Sequence, residues 1–195
     1  MSSNAAEKTN WTREAYLEME RASPERHELH DGEVFAMSGA SREHNLVVFN
    51  LAASLHGALK GRPCEAYMNE MRVGYPPQTR YLYPDAVVVC GGPRFEDRTL
   101  DTLLNPTVVF EVLSASTESF DRGRKFKHYG AIESMREYVL LSQTEVRVEQ
   151  FTRQGDGTWI LRALGAGETL RLPSLDVALP VDALYERVFD LPAVA

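Results

Sequence analysis

Two carboxylates occupy positions where the surrounding sequence is apolar. Asp85 directly precedes the apolar run 86–89, and Glu111 interrupts the run 108–113. We expect both side chains to be buried. An ionised carboxylate in apolar surroundings is costly, so such groups become neutral, pair with a cation or bind a metal. A divalent cation shared by the two residues is the simplest interpretation.

Strand pairing would bring these two carboxylates together. Alternate residues of a strand share a face, which makes Glu111 a lone charge on an apolar face. If the strand headed by Asp85 pairs beside it, both groups converge at one strand end and offer the oxygen ligands that Mg²⁺ prefers. The carbonyl of Val112 is a further candidate ligand. Glu28, at a predicted hairpin, is the candidate third carboxylate, with a solvated surface glutamate as the alternative.

A basic segment, residues 121–127, follows the strand that carries Glu111. A lysine beside a bound metal, here Lys125, can orient the attacking water and stabilise a phosphoryl transition state. Tyr129, one helical turn further on, shares its face. His44 is predicted on the buried face of a long helix. The alternatives are a solvated basic face, packing for Tyr129, and a hydrogen-bonded histidine at the rim of the core for His44.

Composition limits the possible classes of protein. The 195 residues, 44% of them hydrophobic, predict one domain over residues 11–195, after a disordered segment 1–10. The net charge of −7 argues against a dedicated electrostatic nucleic-acid binder, because phosphate neutralisation normally needs surplus lysine and arginine.

Cysteine usage and hydropathy predict a cytoplasmic protein. Cys64 and Cys90 lack the close spacing of a metal or redox motif, so we expect two buried, reduced thiols and no disulfide. The chain shows no secretory signal and no apolar run of the ~20 residues that a membrane span requires.

The first third of the chain carries clear local signals. A helix capped by Thr12 is predicted over residues 12–21, and the dipeptide Asp31-Gly32 predicts a tight β-hairpin. The longest helix is predicted from Ser41 until Gly61, because its apolar side chains recur at steps of three and four residues.

The rest of the chain predicts an α+β fold. Strands are expected over 64–75, 81–90, 107–113 and 136–141, and 107–113 is apolar on both faces, as in the middle of a sheet covered by helices. A helix beginning at Ser116 or Ser119 should run to residue 129. A β-rich C-terminal extension follows from residue 145 and closes with a helix over 181–188. We therefore expect one central mixed β-sheet flanked by helices.

Several short motifs, taken in order, resemble the Uma-type family of restriction endonucleases within the PD-(D/E)xK nuclease superfamily. The resemblance covers roughly residues 12–188, and it rests on the order and spacing of the motifs together. They are Glu28-Leu29-His30-Asp31-Gly32-Glu33, His44, Pro84-Asp85, Glu111-Val112-Leu113-Ser114, Asp121 through Lys125, Tyr129 and Glu137-Tyr138-Val139-Leu140.

The resemblance implies a restriction-endonuclease-like fold and metal-dependent cleavage of DNA phosphodiester bonds. By that resemblance Asp85 and Glu111 look like metal ligands, Glu28 like a helper carboxylate and Lys125 like the catalytic lysine. The chain departs from the wider superfamily at Leu113, where the pattern has a lysine two residues after the glutamate. The catalytic role of that lysine must then be taken by Lys125 on the following helix.

We therefore predict a cytoplasmic, Mg²⁺-dependent endodeoxyribonuclease, with Mn²⁺ as a substitute metal and double-stranded DNA as the substrate. A homodimer is expected, since two-fold dimers are the commonest assemblies and suit cleavage of both strands. Two alternatives stay open. One is a nuclease fold kept as a binding or assembly module without turnover, which the acidic balance favours. The other is a hydrolase of smaller phosphoesters.

Overall fold

The computed structural model describes residues 10–37, 39–75, 77, 79–115 and 117–190. Of the predicted disordered segment 1–10, only Asn10 lies within them. In chain order the elements are α1 (Arg13–Ala22), β1 (His27–His30), β2 (Glu33–Ala36), α2 (Arg42–Ala58), β3 (Cys64–Met68), β4 (Arg72–Tyr75), β5 (Arg80–Leu82), β6 (Ala86–Cys90), β7 (Thr102–Leu103), β8 (Val108–Leu113), α3 (Glu118–Phe120), a π-helical turn (Asp121–Lys125), α4 (Phe126–Gly130), β9 (Glu137–Ser142), β10 (Val148–Arg153), β11 (Trp159–Leu164), β12 (Thr169–Leu172), β13 (Val177–Pro180) and α5 (Val181–Leu184).

A six-stranded mixed sheet forms the centre of the fold, in the order β11-β10-β9-β8-β6-β3. Its middle strands β8 and β9 run parallel, and the other neighbours are antiparallel. This arrangement confirms the predicted α+β fold with a mixed sheet. The first two strands of the predicted C-terminal extension, β10 and β11, add directly to this sheet.

A second sheet, which the sequence did not predict, contains five strands in the order β2-β1-β5-β4-β7. The predicted strands 64–75 and 81–90 are each divided in two, so that β3 and β6 lie in the central sheet while β4 and β5 lie in the second. Asn69 adopts the left-handed conformation (φ 41°) between β3 and β4, and a left-handed residue interrupts an extended strand. The predicted central mixed sheet is therefore present, and the second sheet adds to it.

Strand β8 separates two apolar cores. All six of its residues are buried, as predicted for a strand covered on both faces. Phe110 and its alternate neighbours pack in the core that includes Leu51 and Leu55 of α2. Val109 and Leu113 pack on the other side, in a core that includes Tyr129 of α4. The face of β8 that carries Glu111 is therefore the face covered by the helix after it.

The N-terminal hairpin and both long helices form where the sequence predicted them. Asp31 (φ 51°) and Gly32 (φ 87°) make the two-residue turn between β1 and β2. Thr12 caps α1 by accepting a hydrogen bond from the Ala15 N–H, and Ser41 caps α2. Of the two predicted starts for the later helix, Ser116 lies outside the described residues, and the helix begins at Glu118.

Cys64 and Cys90 form a disulfide, which corrects the prediction of two reduced thiols. The two residues are 26 positions apart, a spacing that matches no cysteine motif. They meet because the antiparallel register of β3 and β6 places them directly opposite each other. No helix within the described ranges is long and apolar enough to cross a membrane.

Candidate active site

The two predicted carboxylates lie where β6 and β8 meet. These strands pair with Ala86 opposite Phe110, and Asp85 and Glu111 are the next positions along that register. Glu111 is buried, as expected, but Asp85 is only partly buried because it precedes the strand. Asp85 Oδ2 accepts a hydrogen bond of 2.7 Å from the backbone N–H of Val112. The end of β8 therefore fixes the orientation of the Asp85 carboxylate.

His44 contacts the other oxygen of that carboxylate. Its Nε2 lies 3.3 Å from Asp85 Oδ1. The first turn of α2 holds His44 there, since the His44 N–H donates to the capping Ser41 Oγ at 3.0 Å. The predicted accessory histidine thus lies beside a predicted metal ligand, at the rim of the core.

Lys125 reaches the carboxylates from the helical segment that follows β8. Its Nζ lies 3.1 Å from Oε1 of Glu28, 3.1 Å from Oε1 of Glu111 and 3.6 Å from Oδ1 of Asp121. The lysine belongs to the π-helical turn Asp121–Lys125, and such turns recur at functional sites. Its side chain is buried, so the ammonium is held by carboxylates in place of water.

The position of Leu113 explains how this chain departs from the superfamily pattern. Leu113 is buried in the core on the Glu111 side of the sheet. The π-helical turn that covers this side of the sheet carries Lys125, whose ammonium donates to Glu111 Oε1. The structure therefore brings a lysine to the glutamate although the usual strand position holds a leucine.

Glu28 is buried and bonded on both oxygens. Its Oε1 accepts from the Tyr83 backbone N–H at 3.0 Å and contacts Lys125, while its Oε2 lies 3.1 Å from His30 Nε2. Burial excludes the alternative of a solvated surface glutamate. Strand β1 thus delivers a third carboxylate to the same ammonium.

Tyr129 both packs and bonds at the site. Its hydroxyl donates to Glu111 Oε1 at 3.1 Å, and its ring lies 5.6 Å from that of Tyr138. Glu111 Oε1 therefore receives two donors, the ammonium and the phenol. These contacts restrict the rotamer of Glu111 from the helix side.

Negative charge exceeds positive charge in this cluster. Burial, together with Asp121, Asp85 and Glu28, raises the pKa of Glu111 well above its usual 4.5, although Lys125 opposes the shift. Burial likewise raises the pKa of Asp121. One ammonium cannot neutralise so many carboxylates, so the site retains a proton or takes up a second cation.

Glu28 differs from Glu111 because it has more donors. Burial alone would raise its pKa, but Lys125, His30 and the Tyr83 N–H together lower the pKa of Glu28 to about 2. Burial would lower the pKa of Lys125, but its carboxylate neighbours raise it well above 10.5. The pair Glu28 and Lys125 is therefore ionised at neutral pH, whereas burial and the neighbouring carboxylates favour the protonated form of Glu111.

Sequence reasoning missed two members of the cluster. Asp121 lies four residues before Lys125, and that spacing could have indicated a shared helix face. His30 was given no role, yet it shares a strand face with Glu28 two residues earlier. Both signals are common enough in surface sequence that neither stands out without the fold.

The residue types suit a hard divalent cation. Carboxylate oxygens are the ligands that Mg²⁺ and Mn²⁺ prefer, and Asp121 Oδ1 is buried without a hydrogen-bond partner among the described residues. Within those residues, no three histidine, cysteine or carboxylate side chains are already grouped as a metal site. The chemistry of the donors fits a metal, and Lys125 lies among them.

The chain is similar to a family model and to two proteins from one organism. The family model Uma2, described as "Putative restriction endonuclease", matches residues 13–182. The uncharacterized protein slr1290 of Synechocystis sp. is 33% identical over 172 residues, covering 88% of this chain and 90% of that protein. The uncharacterized protein sll1609 of the same organism is 36% identical over 149 residues, covering 76% and 84%.

A solved structure shares the fold. The crystal structure of a "putative nuclease belonging to DUF820" from Anabaena variabilis ATCC 29413 has a TM-score of 0.76 to this chain. The match covers 92% of this chain and 99% of that chain at 14% sequence identity, so it shows the fold alone. On its family match, the chain belongs to the Uma2 family, described as putative restriction endonucleases.

Proposed function

We propose that the chain is a metal-dependent endodeoxyribonuclease that hydrolyses phosphodiester bonds in DNA. The observation that carries the proposal is the placement of Lys125 Nζ 3.1 Å from both Glu28 and Glu111, inside a buried cluster with excess carboxylate. A purely structural ion pair needs one carboxylate for each ammonium. A site with surplus carboxylates and one lysine suits phosphoryl chemistry instead.

Asp85 and Glu111 would hold Mg²⁺, or Mn²⁺ in its place, with the carbonyl of Val112 as a further ligand. When bound, such a cation polarises a phosphoryl oxygen and lowers the pKa of water. Asp85 is partly exposed, whereas Glu111 and Lys125 are buried, so the cluster is open to solvent at Asp85. A cation held by Asp85 and Glu111 would therefore be accessible from solvent through Asp85.

The protein's own groups would bind and orient the substrate phosphate. Lys125, charged at neutral pH, would donate to a phosphoryl oxygen and stabilise the negative charge that develops on it. Glu28 would keep this ammonium in position through its 3.1 Å contact. Tyr129 and His44 would fix the rotamers of Glu111 and Asp85, which they contact at 3.1 and 3.3 Å.

Nicking of supercoiled plasmid DNA in Mg²⁺ or Mn²⁺ tests the proposal. We expect Glu111→Gln and Lys125→Met each to lower the rate by about 10²-fold or more, the usual loss when one such electrostatic group is removed. Lys60→Met is the matched control, because Lys60 is exposed and lies in the turn that follows α2. Equal nicking by the wild type and both site variants would contradict the proposed site.

A nuclease fold that binds without turnover is the second candidate. Two observations favour it: the net charge of −7, and the ammonium of Lys125 already bonded to two carboxylates. Calorimetric titration with Mn²⁺ in the presence of DNA discriminates between the candidates. Binding at Asp85 and Glu111 supports the enzyme, and absence of binding at millimolar metal supports the silent module. Turnover of small phosphodiesters above that of DNA would indicate the smaller substrate.

We also propose a homodimer in the cytoplasm. Two copies related by a two-fold axis would present one site to each strand of a duplex. Sedimentation of the full chain tests the dimer. Disulfides are rare in the reducing cytosol, so the Cys64–Cys90 disulfide argues against that location, and its presence in protein taken directly from cells would refute it.

A further inference from the structure

A polar cleft of about 420 Å³ lies beside the helical segment that carries Lys125. It lies outside the carboxylate cluster, and none of its lining residues is given a role in the function proposed above. Its lining consists of Asp31, Arg80, Arg124, Lys127, His128 and Ala131.

The local structure explains why these residues share one cleft. Positions 124, 127, 128 and 131 recur at steps of three and four residues, so they lie on one face of the helical segment. Lys125, on a different face, turns inward to the carboxylates. The opposite wall is the hairpin turn and the start of β5, where Arg80 Nε lies 2.9 Å from Asp31 Oδ1.

The cleft has an excess of positive charge although the chain has a net charge of −7. Arg80 is paired with Asp31. Arg124 and Lys127 are exposed, and neither makes an ion pair with any carboxylate of the described residues. A concave site with two unpaired cations suits an anion.

His128 adds a hydrogen-bonding group to the wall. Its burial and the nearby Arg80 and His30 lower the pKa of His128 to about 4, so the ring is neutral at pH 7. Its Nδ1 is buried and has no hydrogen-bond partner within the described part of the chain. The wall therefore holds a neutral imidazole beside the cations.

A short series of contacts connects the cleft to the catalytic cluster. The rings of His128 and His30 lie 5.5 Å apart, and His30 Nε2 lies 3.1 Å from Glu28. Glu28 in turn lies 3.1 Å from Lys125 Nζ. The cleft and the cluster thus share the wall formed by these side chains.

We propose that this cleft binds a backbone phosphate of the nucleic-acid substrate, next to the phosphate that is cleaved. The proposal rests on the nuclease function for the identity of the strand. The guanidinium of Arg124 can bind a phosphate with two parallel hydrogen bonds, and Lys127 adds a mobile point charge. The ligand chemistry is a phosphate group, whose source is either a polynucleotide backbone or free phosphate.

DNA binding by the full chain, measured without divalent metal, tests the proposal. Anisotropy of a labelled duplex is recorded in EDTA between about 50 and 200 mM salt, a range in which phosphate contacts dominate affinity. We expect Arg124→Ala with Lys127→Ala to weaken binding at least about tenfold and to reduce the slope of log K against log salt by about two. Arg98→Ala with Arg171→Ala is the control, since it removes the same charge at exposed sites outside the cleft.

The remaining outcomes test the assignment of the cleft separately from the nuclease proposal. Equal weakening in both double variants would show an effect of net charge alone. If inorganic phosphate binds the wild type but not the cleft variant, while both bind DNA equally, the cleft takes free phosphate and not the backbone. The binding assay contains no divalent metal, so its result does not depend on catalysis. If the wild type never cleaves DNA in the separate nicking assay, the nuclease proposal is refuted while the binding result still stands. If the wild type cleaves DNA efficiently but its DNA binding does not depend on Arg124 and Lys127, the phosphate-binding role of the cleft is refuted and the nuclease proposal stands.

Discussion

Replacing Glu111 by glutamine is expected to make the metal-free protein more stable at neutral pH. Glu111 is buried, and its pKa is raised well above 4.5 by burial and by neighbouring carboxylates. The folded state therefore holds a proton on Glu111 that the unfolded chain releases. Stability contributed by that proton is complete below pH 4.5 and is lost as the pH rises through the folded-state pKa.

The size of the effect follows from this linkage. One proton held only by the folded state makes the free energy of unfolding fall by about 1.4 kcal/mol per pH unit between the two pKa values. Glutamine keeps the volume and the acceptor for Tyr129 but does not titrate. Lys125 retains Glu28 and Asp121 as partners, so the substitution leaves no unpaired ammonium.

Urea unfolding in EDTA from pH 4.5 to pH 8 measures this difference. We expect the free energy of unfolding of Glu111→Gln, relative to that of the wild type, to rise with pH above 4.5, while the exposed control Glu133→Gln follows the wild type. Magnesium at about 100 times its Kd should then stabilise the wild type by about 2.7 kcal/mol and leave Glu111→Gln unchanged.

The opposite result would refute the reasoning. If Glu111 is ionised and its bond to Lys125 stabilises the fold, glutamine would cost about 3–5 kcal/mol at pH 7, as expected for breaking a buried ion pair. A difference between Glu111→Gln and the wild type that stays constant above pH 4.5 would equally show that Glu111 has no raised pKa.

Four further predictions concern the fold. Mutating Cys64 and Cys90 to serine should lower the free energy of unfolding by about 3.5 kcal/mol, the chain-entropy value for the 26-residue loop, and reductant should mimic the change. Arg72→Met should cost about 1–3 kcal/mol in urea unfolding, because the hydroxyls of Thr102 and Tyr83 lose the buried guanidinium that donates to them, while Asp101 keeps Arg21 as its partner. Thr12→Ala should cost about 1 kcal/mol through loss of the α1 cap. Because the pKa of folded Glu28 is lowered to about 2, its ionised carboxylate adds stability that is complete above pH 4.5 and should disappear as the pH falls through 2. Glu28→Gln should therefore flatten the acid side of the plot of unfolding free energy against pH.

Local structure was predictable where one residue type has one structural use. Asp31-Gly32 supplies the positive φ angles of a two-residue turn, and the turn forms. Ser41 and Thr12 cap helices because their hydroxyls accept backbone N–H bonds. The buried strand β8 followed from its continuous apolar run.

Long-range pairing was not predictable in the same way. The left-handed Asn69 divides one predicted strand between two sheets, and an asparagine within a polar turn gives only a weak signal for that break. Cys64 and Cys90 became neighbours only through the register of β3 and β6. The partial exposure of Asp85 likewise depends on where β6 begins.

The residues of the candidate site differ in the same way: some were predictable from the sequence, and others only from the fold. Residue type and spacing identified Glu111, Asp85 and Lys125. In the structure Lys125 bonds to Glu111, and Asp85 bonds to the backbone of Val112, the residue after Glu111. Asp121 and His30 entered only with the fold, since their contacts run across the cluster. The catalytic roles of all these residues stay predictions until tested.

The most direct test of the central claim is the crystal structure of the protein soaked in Mn²⁺, with anomalous scattering used to locate the metal. The proposed function predicts an anomalous peak bonded to oxygens of both Asp85 and Glu111, with Lys125 Nζ close by and still bonded to Glu28. Absence of a peak at millimolar Mn²⁺, with Lys125 still bonded to both Glu28 and Glu111, would contradict it.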